Sequence, residues 1–158
     1  MSNFNVSLLR QLLNYCRIKP SVNQIESHPY FRNDSLIKYC IGHGIRVTAY
    51  SPLGGSYDYG KNAGISVLKD ETVGRIASSR GISPAAEIIN WHFQRGYDPR
   101  MYEIITKTSR PEMAERNFNY PRVELSAEEM SEINGLDRGQ AGRFNDAAAV
   151  FWETPLFD

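Results

Sequence analysis

Short segments rich in β-branched residues alternate along the chain with longer segments that have the apolar repeat of a helix. The strand-like segments are residues 21–26 (SVNQIE), 45–50 (IRVTAY) and 102–106 (YEIIT). The full order is helix, strand, helix, strand, long loop, two helices, strand, two helices and tail. Strands separated by helical segments predict βαβ units, and therefore a parallel sheet in an α/β fold.

The predicted helices are bounded by residues that commonly start or stop a helix. The first ends before Pro20, and its apolar face consists of Leu8, Leu9, Leu12, Leu13 and Cys16. The second spans 33–44, where Asn33 or Asp34 can cap the first turn and Gly44 suits a left-handed end. A third is predicted around 70–80. The next three begin at serines, the last two in capping-box pairs: Ser83, Ser109 with Glu112, and Ser126 with Glu129.

The number of strands is too small for a closed barrel. A (β/α)8 barrel usually needs about 250 residues, so a chain of 158 residues with three strands is typical of part of one. Residues 51–64 form a long glycine-containing loop, and such loops are more often functional than structural. The tail at 137–158 lacks periodicity, but its aromatic residues predict a packed arm: Phe144, Phe151, Trp152 and Phe157.

Composition and charge exclude several classes of partner. Hydrophobic residues make up 41% and charged residues 23% of the chain, which is typical of a globular domain. The 18 basic and 18 acidic residues balance, so the chain lacks the basic excess that binds nucleic acid or an anionic membrane surface. No segment approaches the roughly 20 apolar residues of a membrane span. The first residues, MSNFNVSLLRQ, do not resemble a signal peptide.

The cysteines and histidines give no pattern of a disulfide framework, a metal site or a catalytic pair. Cys16 and Cys40 lie at apolar positions of predicted helices, which predicts two buried, reduced thiols and a cytoplasmic location. His28, His43 and His92 have neither ligand-like spacing nor a nucleophile partner. We therefore expect the histidines to be structural and no metal to be bound.

Four polar motifs lie at or beside the predicted strands. They are SNFN at 2–5, SVNQIESHPY at 21–30, TAYSPLG at 48–54, and ITKTSR at 105–110 with Asn117 ten residues after Lys107. In this order and spacing they resemble the aldo-keto reductase family, and the resemblance continues through LDRGQAGRFND and PLFD near the end. It implies a partial (β/α)8 barrel in which 1–158 is a single incomplete domain with a C-terminal arm at 137–158. The implied activity is hydride transfer from NADPH to an aldehyde or ketone.

The resemblance also implies which residues would hold the nicotinamide end of the cofactor. Ser2, Asn3 and Gln24 match contacts to the carboxamide, and Tyr50 matches the ring that stacks on the nicotinamide. Amides and hydroxyls can read a carboxamide because they supply both donors and acceptors, and a tyrosine offers a flat face. The alternatives are that Gln24 satisfies a buried backbone group and that Tyr50 packs at the barrel rim.

The other implied contacts lie toward the phosphates. Ser51 and Leu53 match the loop over the pyrophosphate. The segment matched to the adenosine 2′-phosphate is Lys107, Thr108 and Ser109, and Asn117 matches an adenine contact. A cation and hydroxyls just before a helix form an anion site, although Lys107 could also be a solvated surface residue.

The chain departs from the family at the 2′-phosphate. Met113 stands where the family often has an arginine, and Arg116 precedes Asn117 where a glutamate is common. Arg110 or Arg116 could supply the guanidinium, which grips phosphate in two places. We expect NADPH, with NADH as the weaker alternative.

The motifs contain no counterpart of the family's proton donor. That chemistry needs a tyrosine with lysine, aspartate and histidine, which come from the first four strands, whereas this sequence begins at the end of the fifth. A missing general acid costs roughly 10²–10⁴-fold in rate, so we expect the isolated chain to be inactive and assign no catalytic residue.

Three explanations can account for the missing strands. The chain is a truncated gene product, which we favour, or it pairs with a second copy or an N-terminal half, or it is a non-catalytic nucleotide-binding or barrel-completing remnant. The first and third strands would each present an open edge, and an apolar sheet face would favour association.

Overall fold

The computed structural model describes residues 1–55 and 65–145. Its elements are α1 (Val6–Tyr15), β1 (Val22–Glu26), α2 (Asp34–Gly42), β2 (Arg46–Tyr50), α3 (Glu71–Ser79), α4 (Pro84–Phe93), β3 (Tyr102–Ile104), α5 (Pro111–Phe118) and α6 (Ala127–Asn134). This confirms the predicted order, and it adds two short 3₁₀ turns, Val67–Lys69 and Gly139–Gly142. Our predictions for Phe151, Trp152, Phe157 and the end of the long loop lie outside the described residues.

The three strands form a parallel sheet in the order β1-β2-β3. Gln24 lies opposite Thr48, and Thr48 lies opposite Glu103. The outer edge of β1 is partly paired, because Ser2 forms a parallel bridge with Gln24. Backbone hydrogen bonds of 2.9 Å join Asn3 N to Gln24 O and Gln24 N to Met1 O. The expectation of an open edge at β1 was therefore wrong at these positions.

Alternation along the strands separates the two faces of the sheet. One face is buried under the helices and includes Ile25, Val47, Ala49 and Tyr102. These side chains form a core with helical residues, namely Leu9, Ile37 and Cys40. A second core joins α3, α4 and α6 through Val73, Ile76, Ile88, Trp91 and Ile133.

The opposite face of the sheet, here called the polar face, is lined mainly by polar side chains. The register places on it Gln24, Glu26, Arg46, Thr48, Tyr50 and Glu103. Thr48 Oγ1 donates a 2.7 Å hydrogen bond to Glu103 across it. The expected exposed apolar face is not found at these positions, so burial of an apolar sheet face gives no reason for association here.

The helix starts show which local signals decide the boundaries. Asn5, Asp70, Ser83 and Ser126 accept hydrogen bonds from the first turns of α1, α3, α4 and α6, and the Ser126–Glu129 capping box is confirmed. The box expected at Ser109 is wrong: Pro111 takes the first helical position of α5, and Arg110 becomes its N-cap without a side-chain bond. Cys40 is buried as predicted, whereas Cys16 caps the end of α1 and is only half-buried.

Candidate functional site

Two adjoining cavities open where the carboxyl ends of β2 and β3 meet the following loops. The first, about 520 Å³, is lined by residues that include Tyr50, Ser51, Leu53 and Lys107. The second, about 1100 Å³, is lined by residues that include Lys107, Thr108 and Asn117. Both are also lined by Thr106. Thr106 and Lys107 belong to both linings, and the two adjoining cavities together are here called the strand-end groove.

The N-terminal residues meet Tyr50 at one end of this groove. Asn3 has a left-handed backbone (φ 58°), which asparagine tolerates better than most residues, and its Oδ1 accepts a 3.1 Å hydrogen bond from the Tyr50 hydroxyl. Ser2 Oγ donates to Gln24 O at 3.0 Å. The residues that the sequence assigned to the nicotinamide end are thus brought together: Ser2, Asn3, Gln24 and Tyr50.

The Tyr50 phenol is held as a neutral hydrogen-bonding group. Burial, and secondarily the nearby Glu26 carboxylate, raises the pKa of Tyr50 to about 12, against weaker opposing effects of Arg143 and Asn3. The hydroxyl therefore keeps its proton at neutral pH. Its position is fixed by the hydrogen bond to Asn3 at the start of the chain, and Arg143 of the C-terminal arm lies close by.

The turn after β2 is narrow and strongly constrained. Ser51 and Gly54 both have left-handed backbones, with φ of 49° and 74°, and Gly54 N donates to Ser51 O at 2.8 Å. Ser51 Oγ accepts a 3.3 Å hydrogen bond from Asn145 Nδ2. Leu53 is half-buried against the core that contains Val67, so this turn is anchored on both sides.

Gly54→Ala is expected to destabilise the chain by about 1–3 kcal/mol, because a left-handed backbone is strained for alanine. The new methyl group would also lie 2.4 Å from Val67 Cγ2. Gly81→Ala is the matched control, since Gly81 has φ +66° but no atom within 4 Å of an added Cβ. Urea unfolding of both variants separates strain from collision. An equal loss in the two variants would contradict a collision at Gly54.

His92 anchors the same turn from beneath. Its Nε2 lies 3.0 Å from Pro52 O, and its Nδ1 lies 2.8 Å from the Tyr102 hydroxyl. A carbonyl only accepts, so Nε2 carries the hydrogen and Nδ1 accepts from Tyr102. Burial, reinforced by Arg95, holds the pKa of His92 well below its ordinary value. His92 is therefore neutral and structural, as expected.

Stability is expected to fall as the pH drops below about 6.5, the ordinary histidine pKa of the unfolded chain. Between that value and the lower pKa of folded His92, only the unfolded state binds the extra proton. His92→Phe should remove this part of the pH dependence, at the cost of lower stability at pH 8 because Pro52 O loses its partner. Urea unfolding between pH 8 and pH 5 measures it. The exposed His43→Phe should keep the wild-type slope; an unchanged slope in His92→Phe would count against the neutral His92.

The phosphate-side residues are only partly gathered by the structure. Lys107 is exposed, Thr108 Oγ1 accepts a 3.1 Å hydrogen bond from Arg110 N, and Asn117 faces the same cavity from α5. In the described part of the chain, the groove lining includes neither Ser109 nor Arg110, and it does not include Arg116. The arginine that does line it is Arg122, which sequence reasoning missed because it lies beyond the matched motif.

An aromatic wall of the larger cavity was also missed. Phe93 and Tyr120 are stacked, with ring centroids 6.2 Å apart and an interplanar angle of 10°, and Phe118 is 84% exposed. All three line the cavity. Exposed flat rings suit contact with a planar heterocycle. No motif marks these residues, and only the packing of α4 against α5 brings them together.

A buried carboxylate joins the start of the C-terminal arm to β1. Glu26 Oε1 accepts from Phe144 N at 2.7 Å and lies 2.9 Å from His28 Nε2, while Oε2 accepts from Asn145 N at 2.9 Å. Burial raises the pKa of Glu26, but the hydrogen bond to His28 and the backbone N–H groups outweigh it and lower the pKa overall. Glu26 is therefore ionised at neutral pH, and His28 is its partner rather than a free base.

Residues 1–55 and 65–145 lack two other kinds of site. No three histidine, cysteine, aspartate or glutamate side chains there are grouped so that they could hold a metal ion. No helix in those ranges combines the length and apolarity that crossing a membrane requires.

Comparison with known proteins identifies the family. The model of the aldo/keto reductase family matches residues 1–138, and the chain therefore belongs to that family. It is 38% identical over 151 residues to glycerol 2-dehydrogenase (NADP(+)) of Hypocrea jecorina, covering 96% of this chain and 45% of that protein. It is 39% identical over 158 residues to aldose reductase B of Dictyostelium discoideum, covering 100% of this chain and 46% of that protein.

Solved structures resemble the fold over nearly the whole chain. Aldose reductase from Giardia lamblia superposes with a TM-score of 0.84 at 43% identity, covering 99% of this chain and 50% of that one. A mutant of Gox0644 in complex with NADPH gives a TM-score of 0.72 at 32% identity, covering 91% of this chain and 48% of that one. The chain thus has an α/β fold similar to aldose reductase, and it spans about half the length of the relatives that it matches.

Proposed function

We propose that this chain forms the NADPH-binding part of an aldo-keto reductase. The observation that carries the proposal is the strand-end groove, which runs from Tyr50 past Ser51 and Leu53 to Lys107. The nicotinamide would lie at Tyr50, with its carboxamide near Ser2, Asn3 and Gln24. Ser2 Oγ bonds the backbone carbonyl of Gln24 and not its carboxamide, and the carboxamide would bind the cofactor. Relatives named for NADP and the Gox0644 complex with NADPH support the cofactor class.

The adenosine end of the cofactor would lie in the larger cavity. Lys107 and Thr108 would receive the 2′-phosphate at the entrance, with Asn117 at the adenine. Ser109 and Arg110 belong to the same matched segment, and we assign them a supporting role beside Lys107. Arg122 adds a second cation to this cavity. Two cations near one phosphate favour NADPH over NADH.

We further propose that residues 1–158 are a single incomplete (β/α)8 domain, with an arm at 137–158, and that they do not reduce carbonyls alone. NADPH supplies a hydride, but a reductase must also supply a proton. His28 is bonded to Glu26, His92 is enclosed between Tyr102 and Pro52, and His43 bonds Tyr39 O on α2. All three histidines of the chain are thus engaged in internal hydrogen bonds. The Tyr50 hydroxyl donates to Asn3, and its pKa of about 12 makes it a weak general acid.

A second candidate is a barrel-completing role without catalysis. It is favoured by β3, whose outer edge pairs with no strand in the described part of the chain. A second copy or an N-terminal half would supply the missing pairing and, in the latter case, the carbonyl substrate pocket.

The unpaired cysteines agree with the reducing cytosol in which we place the protein.

Titration of the purified chain with NADPH, followed by cofactor fluorescence, tests the leading proposal. We expect saturable binding with enhanced nicotinamide emission. The absence of binding at millimolar NADPH would reject the cofactor-binding function. A sedimentation measurement alongside it tests the second candidate, which requires an assembly larger than a monomer.

A further inference from the structure

The Glu26 carboxylate joins β1 by hydrogen bonds to a segment that is distant in the sequence. It accepts from the backbone N–H groups of Phe144 and Asn145, which are 118 and 119 residues further along the chain. Glu26 is 1% exposed, and its contacts use both carboxylate oxygens. Arg143 Nε lies 3.9 Å from Oε2, and it donates to Asn145 O at 2.8 Å.

Residues 143–145 contact the residues at the nicotinamide end of the groove. Asn145 Nδ2 donates to Ser51 Oγ at 3.3 Å. Arg143 lies close enough to Tyr50 to lower the pKa of its hydroxyl, and that hydroxyl donates to Asn3. The path from Glu26 to Ser51 therefore runs through one residue, Asn145, and the path from Glu26 to Tyr50 runs through Arg143.

We infer that Glu26 is a positioning residue for the nicotinamide end of the cofactor site. By fixing residues 143–145 it sets the orientation of Tyr50 and Ser51, and so couples the C-terminal arm to the cofactor. This inference rests on the proposed function. It extends that function by assigning a role to a residue that lies opposite Tyr50 in the sheet but does not itself line the groove.

The hydrogen bonds from Phe144 N and Asn145 N require a carboxylate at position 26. Two backbone donors converge on two oxygens, and each oxygen of an ionised carboxylate accepts readily. A glutamine of the same shape would present its NH₂ group to one of these N–H donors, so one backbone N–H would be left unsatisfied. Residues 143–145 would then shift, while the adenosine end of the groove at Lys107 and Asn117 has no contact with Glu26 in the described residues.

The test compares two ligands in wild type and Glu26→Gln. NADPH spans the whole groove, whereas adenosine 2′,5′-bisphosphate occupies only the adenosine end. We expect Glu26→Gln to weaken NADPH binding about tenfold, the usual size of a lost charged hydrogen bond, and to abolish the enhancement of nicotinamide emission. Binding of the bisphosphate should not change. Glu103→Gln is the matched control, since Glu103 is another carboxylate on the polar face and bonds Thr48 instead of the arm.

A second variant keeps the inference testable if Glu26→Gln does not fold. Asn145→Ala leaves Glu26 intact and, among the described residues, removes the side-chain bond to Ser51, so it should weaken NADPH binding in the same direction by a smaller factor. Equal losses for both ligands, or no loss for NADPH in either folded variant, would overturn the inference. If wild type binds neither ligand, the proposed function itself has failed, which is a different result.

Discussion

Lys107→Met is expected to weaken NADPH binding by about ten- to a hundredfold and to leave NADH binding nearly unchanged. Lys107 lies at the junction of the two cavities and is exposed, so its ammonium can reach a phosphate without first breaking an internal bond. The 2′-phosphate is the only group that distinguishes the two cofactors. The loss should therefore appear in their ratio of dissociation constants.

Fluorescence titrations with both cofactors measure this ratio. Arg10→Met is the matched control, because Arg10 is an exposed cation on α1 that does not line the groove among the described residues. This control should change the ratio little. Arg122→Met should weaken NADPH binding relative to NADH binding by an intermediate factor. Equal weakening of NADPH and NADH by Lys107→Met would place Lys107 at the pyrophosphate and contradict the assignment.

Glu87→Gln is expected to raise the free energy of unfolding by about 3 kcal/mol at pH 8 and by little at pH 4. Glu87 lies on α4 and is fully buried, and within residues 1–55 and 65–145 neither of its carboxylate oxygens has a hydrogen-bond partner. Burial, together with Glu129 and against Arg80, raises its pKa from an ordinary 4.5 to about 7. Its charged form is therefore strongly disfavoured in the folded chain.

The sign of this effect follows from the two pKa values. Below pH 4.5 the carboxyl is protonated in both states and contributes nothing to the pH dependence of stability. Between 4.5 and about 7 only the unfolded chain releases the proton, so the free energy of unfolding decreases as the pH rises, and above 7 the loss is complete. Glutamine does not titrate, so the Glu87→Gln variant does not lose stability in this way as the pH rises. Urea unfolding at pH 4, 6 and 8, with the exposed Glu115→Gln as control, measures the difference; a gain independent of pH would contradict the raised pKa.

The order of elements could be predicted because its signals are local. Apolar spacing marked the helices, β-branched runs marked the strands, and Ser83 and Ser126 marked their helix starts as the structure has them. At Ser109 two local signals competed. Pro111, which has no backbone N–H to be capped, took the first helical position, and the serine was left outside α5.

The candidate site was predictable only where its residues belong to contiguous motifs. Tyr50 with Ser51, and Lys107 with Thr108, were found because each pair follows a strand. Arg122 and the Phe93–Tyr120 stack were not found, because they reach the groove only after α4 and α5 pack together. The bonds from Glu26 to Phe144 and Asn145 are equally hidden, since nothing near Glu26 in the sequence indicates a partner 118 residues away.

We propose that the chain binds NADPH but does not reduce a carbonyl. The most direct test is to saturate the purified chain with NADPH, add a simple aldehyde, and follow cofactor fluorescence over time. We expect the fluorescence of the bound cofactor to decay no faster than the fluorescence of NADPH mixed with aldehyde in the absence of protein. An aldehyde-dependent decay that increases in proportion to the concentration of the chain would contradict the claim.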